Sequence, residues 1–349
     1  MIIVMEVHAA SDQIDNVVAF IKDQGLEALV LPGQDNIAIG IPATLNHDQR
    51  TSFEAIISGM PGVSKVTQTS HPYKLASREW HRDSSLLRVK DVSIGQDFVV
   101  IAGPCSVESY DQMKKSARLV KDSGATLLRG GAFKPRTSPY AFQGLAEEGL
   151  AILQAVGKEF GLLTITEVMS PDMVDLVSQY ADILQIGARS MQNFPLLVEA
   201  GKSGKPVFLK RGPSATIDEF LLAAEYVLNQ NNPSVMLCER GVMPLDRTYT
   251  RNTLDLSAVP VLKEHTHLPI FVDPSHGTGV ARYVKPMALA ALVAGADGIM
   301  VEMHPEPKKA LSDGSQALNP EQFIDLMDSL HRLQSALASV SEAGDHVVR

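Results

Sequence analysis

The run Phe98-Val99-Val100-Ile101-Ala102-Gly103-Pro104-Cys105-Ser106 reads as a short apolar strand that breaks into a loop carrying a thiol and a hydroxyl. No glycine-rich dinucleotide fingerprint follows it, which counts against a doubly wound nucleotide-binding sheet. The same unit then recurs to the end of the chain. Apolar strands are expected at 98–102, 126–129, 163–166, 183–186, 207–210, 235–237, 270–272 and 298–302. Helical spacing fills the gaps, as at 110–122, 144–160, 171–180 and 217–229, and a last helix is expected at 321–338. The Ala-rich stretch 286–294 is read as a helix with Pro286 in its first turn. Eight strands with seven helical crossovers predict an α/β fold, a (β/α)8 TIM barrel, over residues 97–349.

Upstream of the barrel, residues 1–70 carry a different pattern. Strands at 2–8, 28–31, 36–41 and 63–67 and helices at 11–24 and 47–58 give the order βαββαβ, the ferredoxin-like α+β plan. One face of such a sheet is covered by helices, and the other is expected to be free to pair with another subunit. This module has 3 Lys+Arg and 8 Asp+Glu, a charge of −5 out of −9 for the whole chain. Residues 71–96, with the only tryptophan (Trp80), read as a linker packed on something.

The chain of 349 residues has an ordinary globular composition, 45% hydrophobic and 20% charged, which excludes wholesale disorder. No apolar run is long enough to span a bilayer, and the N-terminus lacks a signal peptide's basic start, so no membrane role is expected. Two cysteines, Cys105 and Cys238, fit a reducing cytoplasm. The net charge of −9 argues against nucleic acid as a partner. An anionic ligand must then be held by a local cluster of cations.

Such a cluster is what the strand ends supply. In chain order the eight strands deliver Cys105, Arg129, Glu167, Arg189, Lys210, Glu239-Arg240, Asp273-Pro274-Ser275-His276 and Glu302. In a barrel these positions meet at the C-terminal mouth, where catalysis takes place. Arg129, Lys134, Arg136, Arg189, Lys210 and Arg240 form a cationic set that repels itself unless more than one anionic group balances it. Phosphates match that requirement, and Lys134-Pro135-Arg136-Thr137-Ser138 adds hydroxyl donors beside an arginine. Cys105, His276, Glu302 and Asp313 combine a thiol, an imidazole and two carboxylates, donors suited to a divalent transition metal. Three of them also have a plainer reading, Cys105 as a small core residue and His276 and the Asp313-Gly314 pair as turn formers, whereas Glu302, ending the apolar run 298–301, needs a partner. Glu167 and Asp273 are candidates for proton handling or for supporting the ligands. Cys238 reads as structural, and His304 as either a supporting group or a surface residue. His81, His265 and His267 receive no role.

Several of these stretches together resemble one family. Ile101-Ala102-Gly103-Pro104-Cys105-Ser106-Val107-Glu108, the run from Leu128-Arg129-Gly130-Gly131 through Lys134-Pro135-Arg136-Thr137-Ser138, Gln185-Ile186-Gly187-Ala188-Arg189, Leu209-Lys210-Arg211-Gly212 and Asp273-Pro274-Ser275-His276-Gly277 are similar to 3-deoxy-D-arabino-heptulosonate 7-phosphate (DAHP) synthase of type I-beta. The N-terminal module resembles the ferredoxin-like regulatory domain of some members. The resemblance implies condensation of phosphoenolpyruvate with erythrose 4-phosphate, the first step of aromatic biosynthesis. It implies one divalent ion (manganese, iron, cobalt or zinc) on Cys105, His276, Glu302 and Asp313. Arg129, Lys134, Arg189, Lys210 and Arg240 are implied around phosphoenolpyruvate, and Lys134, Pro135, Arg136, Thr137 and Ser138 at erythrose 4-phosphate. Lys134 is the expected proton donor to the aldehyde oxygen. A homotetramer inhibited by tyrosine or phenylalanine through the N-terminal domain is also implied. The alternatives are 3-deoxy-D-manno-octulosonate 8-phosphate synthase, whose loop resembles Lys-Ala-Asn-Arg-Ser, and a barrel that only senses phosphorylated metabolites.

Overall fold

The structure, a computed structural model, describes residues 1–32, 37–43, 45, 47–67, 72–134 and 138–345. Contacts divide the chain into two units, Met1–Asp83 with His265–His267, and Ser84–Glu264 with Leu268–Arg349.

The first unit contains β1 (Ile2–Met5), α1 (Ser11–Asp23), β2 (Leu29–Pro32), β3 (Ile37–Gly40), α2 (His47–Ile57) and β4 (Val63–Thr67). Its antiparallel sheet has the order β2-β3-β1-β4, the ferredoxin-like arrangement expected from the sequence. Period-two alternation sends Ile3 and Met5 of β1 to the helix side, with Ile39 and Val66 opposite Ile3 on the neighbouring strands. Val17 and Ile21 of α1 and Phe53 and Ile57 of α2 complete this core. The spacing of Ile14, Val17 and Ile21 is the helical stripe that makes α1 amphipathic.

The sheet's other face is not wholly free, contrary to expectation. Gly40, opposite Ile2 in the register, lies directly beneath the indole of Trp80. A β-carbon at position 40 would stand 1.8 Å from that ring, so the missing side chain is what makes room for it. Trp80 is buried, as are Tyr73 and Ala76 before it. The first half of the segment read as a linker therefore belongs to this unit and supplies it with core residues.

The other half begins the second unit. β5 (Leu87–Val89) and β6 (Val92–Ile94) form a hairpin ahead of the barrel. The barrel strands are β7 (Val99–Gly103), β8 (Leu127–Arg129), β9 (Leu163–Val168), β10 (Ile183–Ile186), β11 (Val207–Lys210), β12 (Val235–Glu239), β13 (Ile270–Val272) and β14 (Gly298–Glu302). They pair in parallel, and β14 closes on β7. Between and after them run α3 (Tyr110–Asp122), α4 (Ala146–Phe160), α5 (Val174–Tyr180), α6 (Phe194–Lys202), α7 (Ile217–Leu228), α8 (Ala258–His265), α9 (Pro274–Thr278), α10 (Ala281–Val293) and α11 (Pro320–Asp345). Leu87, Val89 and Ile94 of the hairpin pack against Val99, Leu127, Leu163 and Ile183, the first residues of four strands. The hairpin thus plugs the N-terminal end of the barrel and leaves the C-terminal end to the loops.

One helix start differs from the sequence reading. α10 begins at Ala281, so Pro286 lies inside it. Pro286 therefore removes one backbone hydrogen bond from the helix interior instead of occupying a first turn where its missing N–H costs nothing.

Trp80, the single tryptophan, reports directly on the first unit. Gly40→Val is expected to displace the indole and destabilise that unit by about 1–3 kcal/mol, the cost of overpacking. Urea unfolding followed by tryptophan fluorescence should show an earlier midpoint, and an unchanged midpoint would contradict the packing.

Candidate active site

The mouth of the barrel brings together residues that the sequence scatters over two hundred positions. Glu302 ends β14 and is fully buried. Its Oε1 accepts from Arg129 Nη1 at 2.6 Å and its Oε2 accepts from Gln316 Nε2 at 2.6 Å. Cys105, in the loop after β7, places its Sγ 3.3 Å from Asp313 Oδ2 and 3.1 Å from Ser312 Oγ. Donor atoms of Cys105, Glu302 and Asp313 all lie within 4.8 Å of one another. His276 stands outside that closest trio but touches it, with Nε2 3.2 Å from Glu302 Oε1. Its Nδ1 lies 2.7 Å from Asp273 Oδ2, and Asp273 Oδ1 accepts the His276 backbone N–H at the start of α9.

Burial and neighbouring charges compete at these groups. Burial holds the His276 imidazole below its ordinary range, although Asp273 and Glu302 pull the other way. The His276 ring lies between two carboxylates, Asp273 at 2.7 Å and Glu302 at 3.2 Å. Burial alone would raise both acids, but His276 and Arg129 bring Glu302 down to about 2. His276 and Lys210 hold Asp273 well below the usual carboxylate range. Burial and then Glu302 push the Cys105 thiol up to about 11, so only a strong nearby cation makes it a thiolate. Thiol, imidazole and two carboxylates fit a divalent transition metal, and the hydrogen bond from His276 to Asp273 is the support such ligands carry.

Beside this set lies a cavity of about 300 Å³. Its lining has six cations (Arg129, Lys134, Arg189, Lys210, Arg240 and Arg251) against two carboxylates, Glu167 and Asp313. The excess of positive charge is built locally, against a chain of net charge −9. Arg129 is buried, and among the described residues its Nε has no hydrogen-bond partner. Such an orphaned donor is costly without an anion to take it. Lys134 is also buried, with Nζ 2.9 Å from the Cys105 carbonyl oxygen and 3.0 Å from its Sγ. Lys210 Nζ donates to Asp273 at 2.6 Å. Removing one partner from a buried pair such as Arg129–Glu302 or Lys210–Asp273 costs about 3–5 kcal/mol. Those geometries are therefore strongly held.

The other expected residues fall as follows. Glu167 lines the cavity, accepting from Gln185 Nε2 at 3.3 Å. Pro135, Arg136 and Thr137 lie outside the described residues. Ser138 is exposed and does not line the cavity. Cys238 is fully buried in the barrel interior, as a structural residue should be. His304 is buried, not on the surface, with Nε2 3.4 Å from Glu108 Oε2. Arg251, Asn252 and Gln316 were not foreseen. Arg251 donates to Gln316 at 3.2 Å, and Asn252 to the His276 carbonyl at 2.8 Å. Their position in loops after strands six and eight was the available signal, since all such loops reach the mouth. Among the described residues no helix is long and apolar enough to cross a membrane.

Comparison with known proteins places these features. Residues 69–339 match the DAHP synthetase I family, and residues 1–71 match the DAHP synthase ferredoxin-like domain. A phospho-2-dehydro-3-deoxyheptonate aldolase of Thermotoga maritima is 45% identical over 338 residues, covering 97% of this chain and 98% of the relative. A 2-dehydro-3-deoxyphosphooctonate aldolase of Syntrophobacter fumaroxidans is 34% identical over 257 residues, covering 68% of this chain and 88% of that one. The crystal structure of the Thermotoga maritima DAHP synthase superposes with a TM-score of 0.76 at 44% identity, over 96% of this chain and 97% of that one. A truncated form of the Thermotoga maritima enzyme gives 0.71 at 46% identity over 75% of this chain and 97% of that one. With both of its parts matched, the chain belongs to the DAHP synthetase I family and carries the DAHP synthase ferredoxin-like domain ahead of its barrel.

Proposed function

We propose that this family member joins phosphoenolpyruvate to erythrose 4-phosphate, giving DAHP and inorganic phosphate, with the residues of the barrel mouth in the following roles. The observation that carries the assignment is the meeting of a thiol, an imidazole and two carboxylates with a cavity wall of six cations. The ligands are Cys105, His276, Glu302 and Asp313. When bound there, a divalent ion supplies Lewis acidity.

Arg129, Arg189, Lys210 and Arg240 hold the carboxylate and phosphate of phosphoenolpyruvate, and the unpartnered Arg129 Nε is one donor waiting for it. Pro135, Arg136, Thr137 and Ser138, with Lys134, receive erythrose 4-phosphate. Fixing two anions against rigid cations supplies proximity, worth up to about 7–11 kcal/mol for well-oriented pairs. The enol carbon of phosphoenolpyruvate attacks the aldehyde carbon, and water takes the positive charge that develops at the neighbouring carbon. The resulting hemiketal phosphate breaks its C–O bond to expel phosphate. Lys134, buried beside Cys105, gives its proton to the aldehyde oxygen as it becomes a hydroxyl. Glu167, on the cavity wall, and Asp273, behind His276, serve proton handling and ligand support. The ferredoxin-like domain takes tyrosine or phenylalanine as an inhibitor, in a homotetramer.

Incubated with phosphoenolpyruvate and erythrose 4-phosphate, the protein should release phosphate, and chelation should stop it. Release with arabinose 5-phosphate instead would favour the octulosonate reaction of the more distant relatives. Lys134→Ala should lower kcat by about 10²–10⁴, the usual loss for a general acid, while the metal content stays unchanged. Normal turnover in that variant would remove the role. Tyrosine or phenylalanine should inhibit the full chain but not a form beginning at Ser84, and inhibition of the shortened form would move the regulatory site into the barrel.

A further inference from the structure

We propose that Glu108 is a positioning residue whose carboxylate clamps the loop delivering Asp313 to the loop delivering Cys105. The inference rests on the metal reading above. Glu108 follows Cys105 by three positions, at the start of the same loop's exit into α3. Its Oε1 accepts the backbone N–H of Leu311 at 2.9 Å, a contact between residues 203 positions apart. The same oxygen accepts the Ser106 hydroxyl at 3.1 Å. Its Oε2 faces His304 Nε2 at 3.4 Å. His304 Nδ1 accepts the Glu306 N–H at 2.9 Å, so the ring proton sits on Nε2 and points to Glu108. With both oxygens engaged, Glu108 is not a further ligand. It is a tie.

The loop it ties needs one. Residues 304–318 are closed at their base by His304 N–H on the Leu318 carbonyl at 2.9 Å and Leu318 N–H on the Glu302 carbonyl at 2.8 Å. Between those ends the regular structure is a single turn, Pro307–Lys309. Asp313 takes a left-handed conformation, φ 51°, which aspartate tolerates but which must be held by its surroundings. The next residue, Gly314, passes so close to the Pro307 carbonyl that a β-carbon would lie 2.3 Å from it. Leu311, the clamped residue, comes just before Ser312 and Asp313, whose side chains meet Cys105 Sγ at 3.1 and 3.3 Å. Holding Leu311 fixes both partners before any ion arrives, so binding does not have to order the loop. Groups that orient metal ligands without touching the ion have this effect on affinity.

The test uses the full-length protein freed of metal by chelation and titrated with Mn²⁺ by calorimetry. Glu108→Ala should weaken Mn²⁺ binding about tenfold or more, in the range found when ligand-orienting groups are lost. Its kcat at saturating Mn²⁺ should be kept, because the four ligands are intact. Glu108→Gln keeps an oxygen for the Leu311 N–H but gives up the bond from His304, and should weaken binding less than Glu108→Ala does. Should Glu108→Ala fail to fold, Leu311→Pro, which deletes the clamped N–H and leaves Glu108 in place, must show the same weakening. Mn²⁺ bound by Glu108→Ala as tightly as by the parent overturns the clamp, as does equal weakening in Glu108→Ala and Glu108→Gln. A parent that binds no better than Cys105→Ala overturns the metal reading and the clamp together. A parent that binds, a Cys105→Ala that does not, and a Glu108→Ala equal to the parent overturns the clamp alone.

Discussion

A carboxylate with no exposure to water organises this molecule's mouth. Glu302 ends a wholly buried strand, and an isolated ionised carboxylate there would be prohibitively expensive. Arg129, Gln316 and His276 surround it and keep it charged. These come from β8, the loop after β14, and the helix after β13, so satisfying one charge fixes three separate elements. Asp273 repeats the pattern between Lys210 and His276. The two carboxylates share the imidazole, so the region behaves as one network, not a row of separate ion pairs.

That network explains how an acidic protein can hold anions. The net charge of −9 repels phosphates at long range, and over half of it resides in the first 70 residues. Within about 8–10 Å, however, screening leaves local charge to decide, and the cavity wall carries six cations to two carboxylates. Burial strengthens each contact further because water cannot compete. The hairpin from β5 to β6 contributes from the other end, filling the N-terminal opening with Leu87, Val89 and Ile94. A packed base lets the loops at the opposite end carry the chemistry without carrying the stability.

The ferredoxin-like unit follows a different logic. It is short of core, and it enlists residues beyond its last strand. Trp80 and Tyr73 become part of its interior, with Gly40 as the seat for the indole. Lys74 completes the attachment by donating to the Pro42 and Ala43 carbonyls at 2.7 and 2.8 Å.

From the sequence by itself came the barrel, the ferredoxin-like plan and the set of strand-end residues, but not the β5–β6 hairpin, which lies in the segment read as a linker. The first three rest on local periodicity, and a barrel forces every strand's C-terminal end to one rim. Ile183–Ile186, Val207–Lys210, Ile270–Val272 and Gly298–Glu302 were legible to the residue because apolar runs with polar ends mark their own limits. Pro286 was not, because a proline's place in a helix depends on where the helix starts, and Ala281 carries no distinctive cap. Contacts between distant loops were also beyond reach. Nothing near Trp80 names Gly40, nothing near Glu108 names Leu311, and Arg251 looks like any charged loop residue. Sequence spacing encodes which face of an element a residue occupies. Which faces and loops then meet is decided by packing in three dimensions, where buried charges must find partners whatever their separation along the chain.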